Sequence, residues 1–135
     1  MALSADNLLN TLDAPDTVIA VVGATDDKRK FGHAVYHDLK RKGYRVYPVN
    51  LNRPTVDGDP AYPDLARLPS KPTLVNFVIP PAATLTVLKH CLDLGLKNVW
   101  LQPGAENAKV MAFLASHGFN YLVNTCIMMK SRVKR

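Results

Sequence analysis

The residues of this chain that could do chemistry gather at two places. In the first, the apolar run Val18-Ile19-Ala20-Val21-Val22 empties into Gly23-Ala24-Thr25, crosses the charged patch Asp26-Asp27-Lys28-Arg29-Lys30, and restarts as a helix-like segment at Phe31-Gly32. A buried strand, a glycine turn and a helix start present backbone N–H groups and a positive dipole end to an anion, so the pattern reads as a phosphate cradle. Lys28, Arg29 and Lys30 would add countercharge; an exposed charge run is the other reading of the same three residues. The spacing is not G-x-G-x-x-G, because position 25 is Thr and the next glycine arrives only at Gly32.

The second place is the end of the next apolar segment, at Asn50 and Arg53. A sheet that binds NAD carries an acid there to accept hydrogen bonds from ribose hydroxyls. Asn50 in that position, with Arg53 beside it, favours a phosphate on the ribose instead: a 2′-phosphate as in NADP, or a 3′-phosphate as in coenzyme A.

Catalysis needs a nucleophile or an acid–base group held by a partner. Cys126 follows a strand at the ligand edge, where it could accept an acyl group or form a mixed disulfide with a ligand thiol; a free cysteine also reads as a small packed hydrophobe. His33 and His37, one helical turn apart, either reach a phosphate or lie on the solvated and sheet-facing sides of their helix. His90 and His117 have no carboxylate at triad-like spacing. Trp100 reads as core. Gln102, a strand-end amide before Pro103-Gly104, is expected to project into the ligand crevice. There is no metal-ligand spacing, and no catalytic residue is assigned.

These side chains need elements to hold them. Ser4 as an N-cap, with Leu8, Leu9 and Leu12 on one face, predicts a helix over residues 4–12, broken by Ala14-Pro15-Asp16. Strands are expected at 17–22, 45–49, 73–79, 98–101 and 121–123, and helices at 32–42, 80–94 and 105–117, with Gly43 and Gly95 as terminators. Residues 50–72 read as a long polar surface loop with one helical turn near Leu65, and residues 127–135 as a basic tail. The alternation implies parallel strands joined by right-handed crossovers: an α/β fold, a single Rossmann-like doubly wound domain over 1–135 with a five-stranded parallel sheet. Residues 1–16 would be an N-terminal helix and extension. The loops 23–32, 50–53, 79–81 and 102–104 would then share the carboxyl edge, where such sheets bind ligands.

Composition narrows the class. A chain of 135 residues with 47% hydrophobic content suits one domain with an ordinary core. No apolar stretch is long enough to span a bilayer, and Asp6, Asn7, Asn10 and Asp13 make the first residues unlike a secretion signal, so a cytoplasmic protein with no membrane partner is expected. Cys91 and Cys126 form no C-x-x-C pair, which argues against a zinc site or a disulfide framework. The formal net charge of +6 favours anionic partners, with cations clustered at Lys28–Lys30, at Lys40–Lys42 and at Lys130, Arg132, Lys134 and Arg135. Nucleic acid is not expected among them, because no helix-turn-helix fits the pattern. A homodimer through residues 1–12, as a swapped or interface helix, stays open.

Several stretches also carry a family resemblance: Ile19-Ala20-Val21-Val22-Gly23-Ala24-Thr25, Gly43-Tyr44-Arg45-Val46-Tyr47-Pro48-Val49-Asn50, Ala61-Tyr62-Pro63, Val99-Trp100-Leu101-Gln102-Pro103-Gly104-Ala105 and Cys126-Ile127-Met128. Over roughly residues 15–132 the chain resembles the small bacterial CoA-binding domain proteins, stand-alone relatives of the CoA-binding domain of the succinyl-CoA synthetase alpha subunit. The resemblance implies coenzyme A or an acyl-CoA bound across the carboxyl edge. Gly23, Ala24 and Thr25 would lie under the pyrophosphate, with Lys28 or Arg29 nearby and Phe31 and Gly32 at the helix start. Asn50 and Arg53 would face the adenosine and its 3′-phosphate. Ile79, Pro80 and Pro81 would border adenine or the start of the pantetheine arm, with Gln102, Pro103 and Gly104 farther along it and Cys126 at the same edge. The ligase relatives depend on a phosphorylated histidine in a further domain, so the implied role is a non-catalytic sensor, carrier or subunit with a separate catalytic protein as partner. An NADP(H)-binding redox enzyme or sensor on the same sheet is the other reading.

Overall fold

The computed structural model describes residues 5–134, so Ser4 and Arg135, read above as a helix cap and as part of the basic tail, lie outside the described residues. The elements run α1 (Ala5–Asp13), β1 (Val18–Val22), α2 (Phe31–Arg41), β2 (Arg45–Val49), β3 (Thr55–Val56), β4 (Asp59–Pro60), a 3-10 turn (Leu65–Arg67), β5 (Leu74–Phe77), α3 (Pro81–Leu94), β6 (Asn98–Leu101), α4 (Ala108–Ser116), β7 (Asn120–Leu122) and α5 (Ile127–Lys130).

All five residues of β1 are buried, as an uninterrupted apolar run requires when both faces of a strand are covered. Around it a parallel sheet forms in the order β2-β1-β5-β6-β7. Side chains alternate between two cores. Ala20, Val22, Val75, Phe77, Val99 and Leu101 pack with Leu88, Cys91, Val110 and Leu114 of α3 and α4. Ile19, Val21, Leu74 and Trp100 face the other way, onto Leu8 and Leu12 of α1, Val35, Tyr36 and Leu39 of α2, and Ile127 of α5. This is a doubly wound α/β fold with a five-stranded parallel sheet. Trp100 is fully buried, and its indole N–H donates to Thr125 O at 2.8 Å.

The strand order reverses at β1. The chain leaves β1 toward β2 on one side and reaches β5 and β6 on the other, so a crevice opens between the carboxyl ends of β1 and β5. Val22 pairs with both Val49 and Phe77, which sets the ends of three strands level at its floor.

Three segments differ from the sequence-based expectation. Residues 50–72 contain the β3–β4 hairpin, turned by Asp57 and Gly58, both at positive φ (52° and 76°), as a two-residue hairpin loop demands. Two residue pairs are too few to leave a period-2 signal. The basic tail begins with α5, whose Ile127 is buried against α2. Finally α4 starts three residues late, because the Asn107 side chain caps it by accepting from Val110 N at 2.9 Å.

Candidate functional site

At the switch point the loops after β1, β2, β5 and β6 surround a cleft of about 1150 Å³. Its narrowest constraint is backbone against backbone. Gly23 has φ +105°, and a Cβ on it would meet Val78 O at 2.5 Å; a Cβ on Gly32 would meet Gly23 O at 2.0 Å. The two glycines are nine residues apart in sequence and pressed together in space. Gly32 therefore performs the close helix–turn packing that a third fingerprint glycine performs at ordinary spacing.

This packing decides which backbone donors face the cleft. Gly23 N–H is taken by Val49 O at 3.0 Å and Ala24 N–H by Val21 O at 3.4 Å, so the turn itself does not offer them to a ligand. At the start of α2, His33 N–H is taken by Lys30 O, which leaves the N–H groups of Phe31 and Gly32 without a backbone acceptor. Both residues line the cleft, and the first turn of α2 carries no acidic side chain to compete for an anion.

The charges follow the same pattern. Lys30 and Arg53 lie on the cleft wall. Asp64 is the one carboxylate among the described lining residues, and it is engaged by Arg67, accepting from its backbone N–H at 3.2 Å. Arg53 Nη1 stands 4.0 Å from Asp26 Oδ2, both side chains partly exposed, a separation at which an ion pair holds little energy.

The sequence-based site residues divide into groups. Gly23, Thr25, Phe31, Gly32, Asn50, Arg53, Ile79, Pro80, Pro81, Gln102, Pro103 and Gly104 all line the cleft. Ala24, Lys28, Arg29 and Cys126 do not. Ala24 is fully buried on the α2 side of the turn. Arg29 folds back on Asp27, its Nε and Nη2 donating to the two carboxylate oxygens at 3.0 and 3.1 Å; this bond holds the Asp27 carboxyl down at about 2. The exposed Arg29 guanidinium pairs with its neighbour and is off the wall, where Lys30 is the loop cation.

Two amides differ in role from the expectation. Asn50 does not present its side chain freely to an adenosine, because Nδ2 donates to Ala24 O at 2.8 Å and Oδ1 accepts from Asn52 N at 2.8 Å. It staples the β1 loop to the β2 loop. Gln102 lines the cleft, but at 1% exposure its side-chain amide is not offered to the crevice and bonds toward α5 instead. Its Oε1 accepts from Ile127 N at 2.9 Å and from Asn76 Nδ2 at 3.1 Å, and its Nε2 donates to Cys126 Sγ at 3.3 Å. The parity of β6 decides this, since Gln102 falls on the Trp100 side of the sheet, away from the Leu101 side.

Sequence reasoning missed Leu51, the 63–65 segment, and the outer stripe of α3 formed by Ala83, Thr86, Val87 and His90, all on the wall. The stripe has helical i, i+3, i+4, i+7 spacing after a strand-end loop, which was a usable signal. His33 and His37 are not on the wall; their ring centroids lie 4.1 Å apart, tilted by 36°, on the flank of α2. Among the described residues no group of three His, Cys, Asp or Glu is placed to hold a metal ion, and no helix is long and apolar enough to cross a membrane.

Comparison with known proteins shows the family and the fold. The family model described as a CoA binding domain matches residues 17–132. The chain is 37% identical over 82 residues to the alpha subunit of ADP-forming acetate–CoA ligase II of Pyrococcus furiosus, a match covering 60% of this chain and 18% of that one. It spans about a fifth of the length of the curated relatives it matches. Among solved structures, a conserved hypothetical protein of Pyrococcus furiosus is similar at TM-score 0.82 and 36% identity, over 85% of this chain and 99% of that one. A hypothetical protein of Pyrococcus horikoshii is similar at TM-score 0.84 and 27% identity, over 95% and 89%. With a cleft at the switch point of a doubly wound sheet and a family match over nearly its whole length, the chain belongs to the CoA-binding domain family.

Proposed function

We propose that this chain binds coenzyme A or an acyl-CoA in the switch-point cleft and acts as a non-catalytic sensor, carrier or subunit. The observation that carries the reading is the pairing, on one wall, of the acid-free start of α2 with Lys30 and Arg53. Two N–H groups and a lysine suit a pyrophosphate, and a guanidinium one loop away suits a further phosphate on the ribose. Gly23 supports it, since only a residue without a Cβ fits between the cleft and Val78 O. Among the described residues, the Thr25 and Thr86 hydroxyls on the wall bond to backbone groups, and it is on the want of an activated nucleophile there that the non-catalytic part of the proposal rests. The matched ligases are several times longer, so any ligase-like activity would need parts beyond these 135 residues.

Calorimetry with coenzyme A and dephospho-coenzyme A tests this. The 3′-phosphate contact predicts coenzyme A to bind at least tenfold tighter, and Arg53→Gln to erase the difference, since a hydrogen bond to a charged group is worth about 1.5–3 kcal/mol. Equal affinities would remove the argument. NADP(H) is the second reading, because Arg53 could meet a 2′-phosphate in the same place; NADPH binding tighter than coenzyme A would establish it.

A further inference from the structure

At the edge of the sheet opposite the cleft, the amino ends of β1 and β2 frame a second groove, of about 610 Å³. One lip is the turn between α1 and β1, which carries Asp13 and Asp16. The other is the start of β2 with the tail after α5, which carries Arg45, Arg132 and Lys134. Lys134 ties the two lips together: its N–H donates to Lys42 O at 2.7 Å, and its Nζ reaches Ala14 O at 2.6 Å while lying 4.8 Å from the centre of the Tyr44 ring. Arg132 N–H donates to the Tyr44 hydroxyl at 3.3 Å, so the tail is fixed along this edge.

The charges of the groove divide by commitment. Lys134 is used in the tie, and Arg45 leans away, its Nη2 donating to Ser70 Oγ at 3.1 Å. The exposed Arg132 guanidinium and the exposed Asp13 and Asp16 carboxylates have no ion pair or side-chain hydrogen bond among the described residues. Burial pushes the Tyr44 phenol above its ordinary 10.0, the Arg132 N–H bond lowers it and the Asp13 charge raises it, which sets both residues beside one ring. Opposite charges thus share a groove without closing on each other. Asp13 carries a local cost besides, because it ends α1, where the helix dipole disfavours a carboxylate and no basic side chain accompanies it.

An acidic lip facing a basic lip is self-complementary. A two-fold axis lays the acidic lip of one copy on the basic lip of another, and symmetry forms the reverse contact. Val133, 70% exposed on the basic lip, and the exposed Pro15 on the acidic lip give that contact an apolar centre within a charged rim. A small zwitterion would meet the charges and leave Val133 in water. Independently of the coenzyme A reading, the geometry points to this groove as an interface between two copies of the chain, with Asp13 and Asp16 of each facing Arg132 of the other.

Sedimentation equilibrium of the full chain at low ionic strength tests the interface. The wild type should dimerise reversibly and more weakly as salt is added, since exposed ion pairs are screened. Reversing the acidic lip (Asp13→Arg with Asp16→Arg) or the basic lip (Arg132→Asp) sets like charges together at both symmetry-related contacts, and each should weaken association at least about tenfold. Asp13→Arg alone, which the end of α1 favours, should give a smaller loss. An equimolar mixture of the two lip variants should recover the dimer, because each reversed lip then meets its complement at both contacts; damage to the fold would give no such recovery. Wild-type protein that stays monomeric, lip variants that associate like the wild type, or a mixture that does not recover overturns the interface. So does a monomer whose Asp13, Asp16 and Arg132 amide resonances shift on adding a zwitterionic dipeptide, which would give the groove to a small ligand.

Discussion

Replacing Gly32 by alanine isolates the contact on which the cleft is built. Gly32 lies within α2 and is not at positive φ, so the substitution carries no backbone penalty. In an ordinary helix it would stabilise the chain by about 1 kcal/mol. Here the new Cβ would stand 2.0 Å from Gly23 O, and real contacts begin near 3.0 Å, so the start of α2 must retreat by at least 1 Å. Gly23 has little room to yield, since its N–H is bonded to Val49 O and the space where its own Cβ would stand is taken by Val78 O and Ile79. Overpacking costs about 1–3 kcal/mol, and backbone on both sides puts this case at the upper end, for a net loss of about 2 kcal/mol. With a urea slope of about 1–3 kcal/mol per molar, the unfolding midpoint should fall by about 1 M. The same retreat carries the Phe31 and Gly32 N–H groups away from a bound phosphate, and coenzyme A affinity should drop about tenfold by calorimetry. Gly58→Ala is the control: φ is +76° but nothing lies within 4 Å, so stability should fall by only about 1–2 kcal/mol, with affinity unchanged. A Gly32→Ala protein whose midpoint and affinity match the wild type, or exceed it, would refute the reasoning.

Three further outcomes are expected. Gln102→Ala strips the acceptor from the buried Ile127 N, worth about 1–3 kcal/mol, and leaves Asn76 Nδ2 with Trp100 O alone; hydrogen exchange should show α5 opening first, and unchanged protection there would contradict the network. Cys126→Ala removes only a sulfur acceptor off the cleft wall, so coenzyme A affinity should stay within twofold, and a tenfold loss would put the thiol back in the site. The third concerns pH. Lys40 first, and Tyr36 second, hold the Asp59 carboxyl below its ordinary 3.8, so its stabilisation is present above that value and is lost as the pH falls through the lowered folded value. Burial, and then Asp59, push the Tyr36 phenol well above its ordinary 10.0, so its contribution is present below pH 10 and is lost as the pH rises past it. Asp59→Asn should weaken the dependence of the urea midpoint on both flanks; an unchanged profile would show that the 2.6 Å Tyr36–Asp59 bond does not couple α2 to the hairpin.

What the sequence by itself determined was local. The β2 and β6 boundaries, the proline start of α3 and its end at Gly95 follow from apolar runs and backbone-restricted residues, and they imply the doubly wound order through the handedness of crossovers. The loops at the carboxyl edge were legible for the same reason, since parallel topology sends each strand end to one side. The direction of individual side chains was not legible. Lys30, and not Arg29, reaches the wall because Asp27 captures Arg29 across two residues of loop. Gln102 turns inward because strand parity and the Ile127 N–H claim it, and Ile127 arrives from 25 residues away. Leu51 and the outer stripe of α3 join one cleft only after the sheet has brought together segments some thirty residues apart. Tertiary structure also decided the cradle's donors. Once β2 pairs with β1, Val49 O takes the Gly23 N–H, and the donors left without a backbone acceptor are those of the helix start that Gly32 presses against the turn.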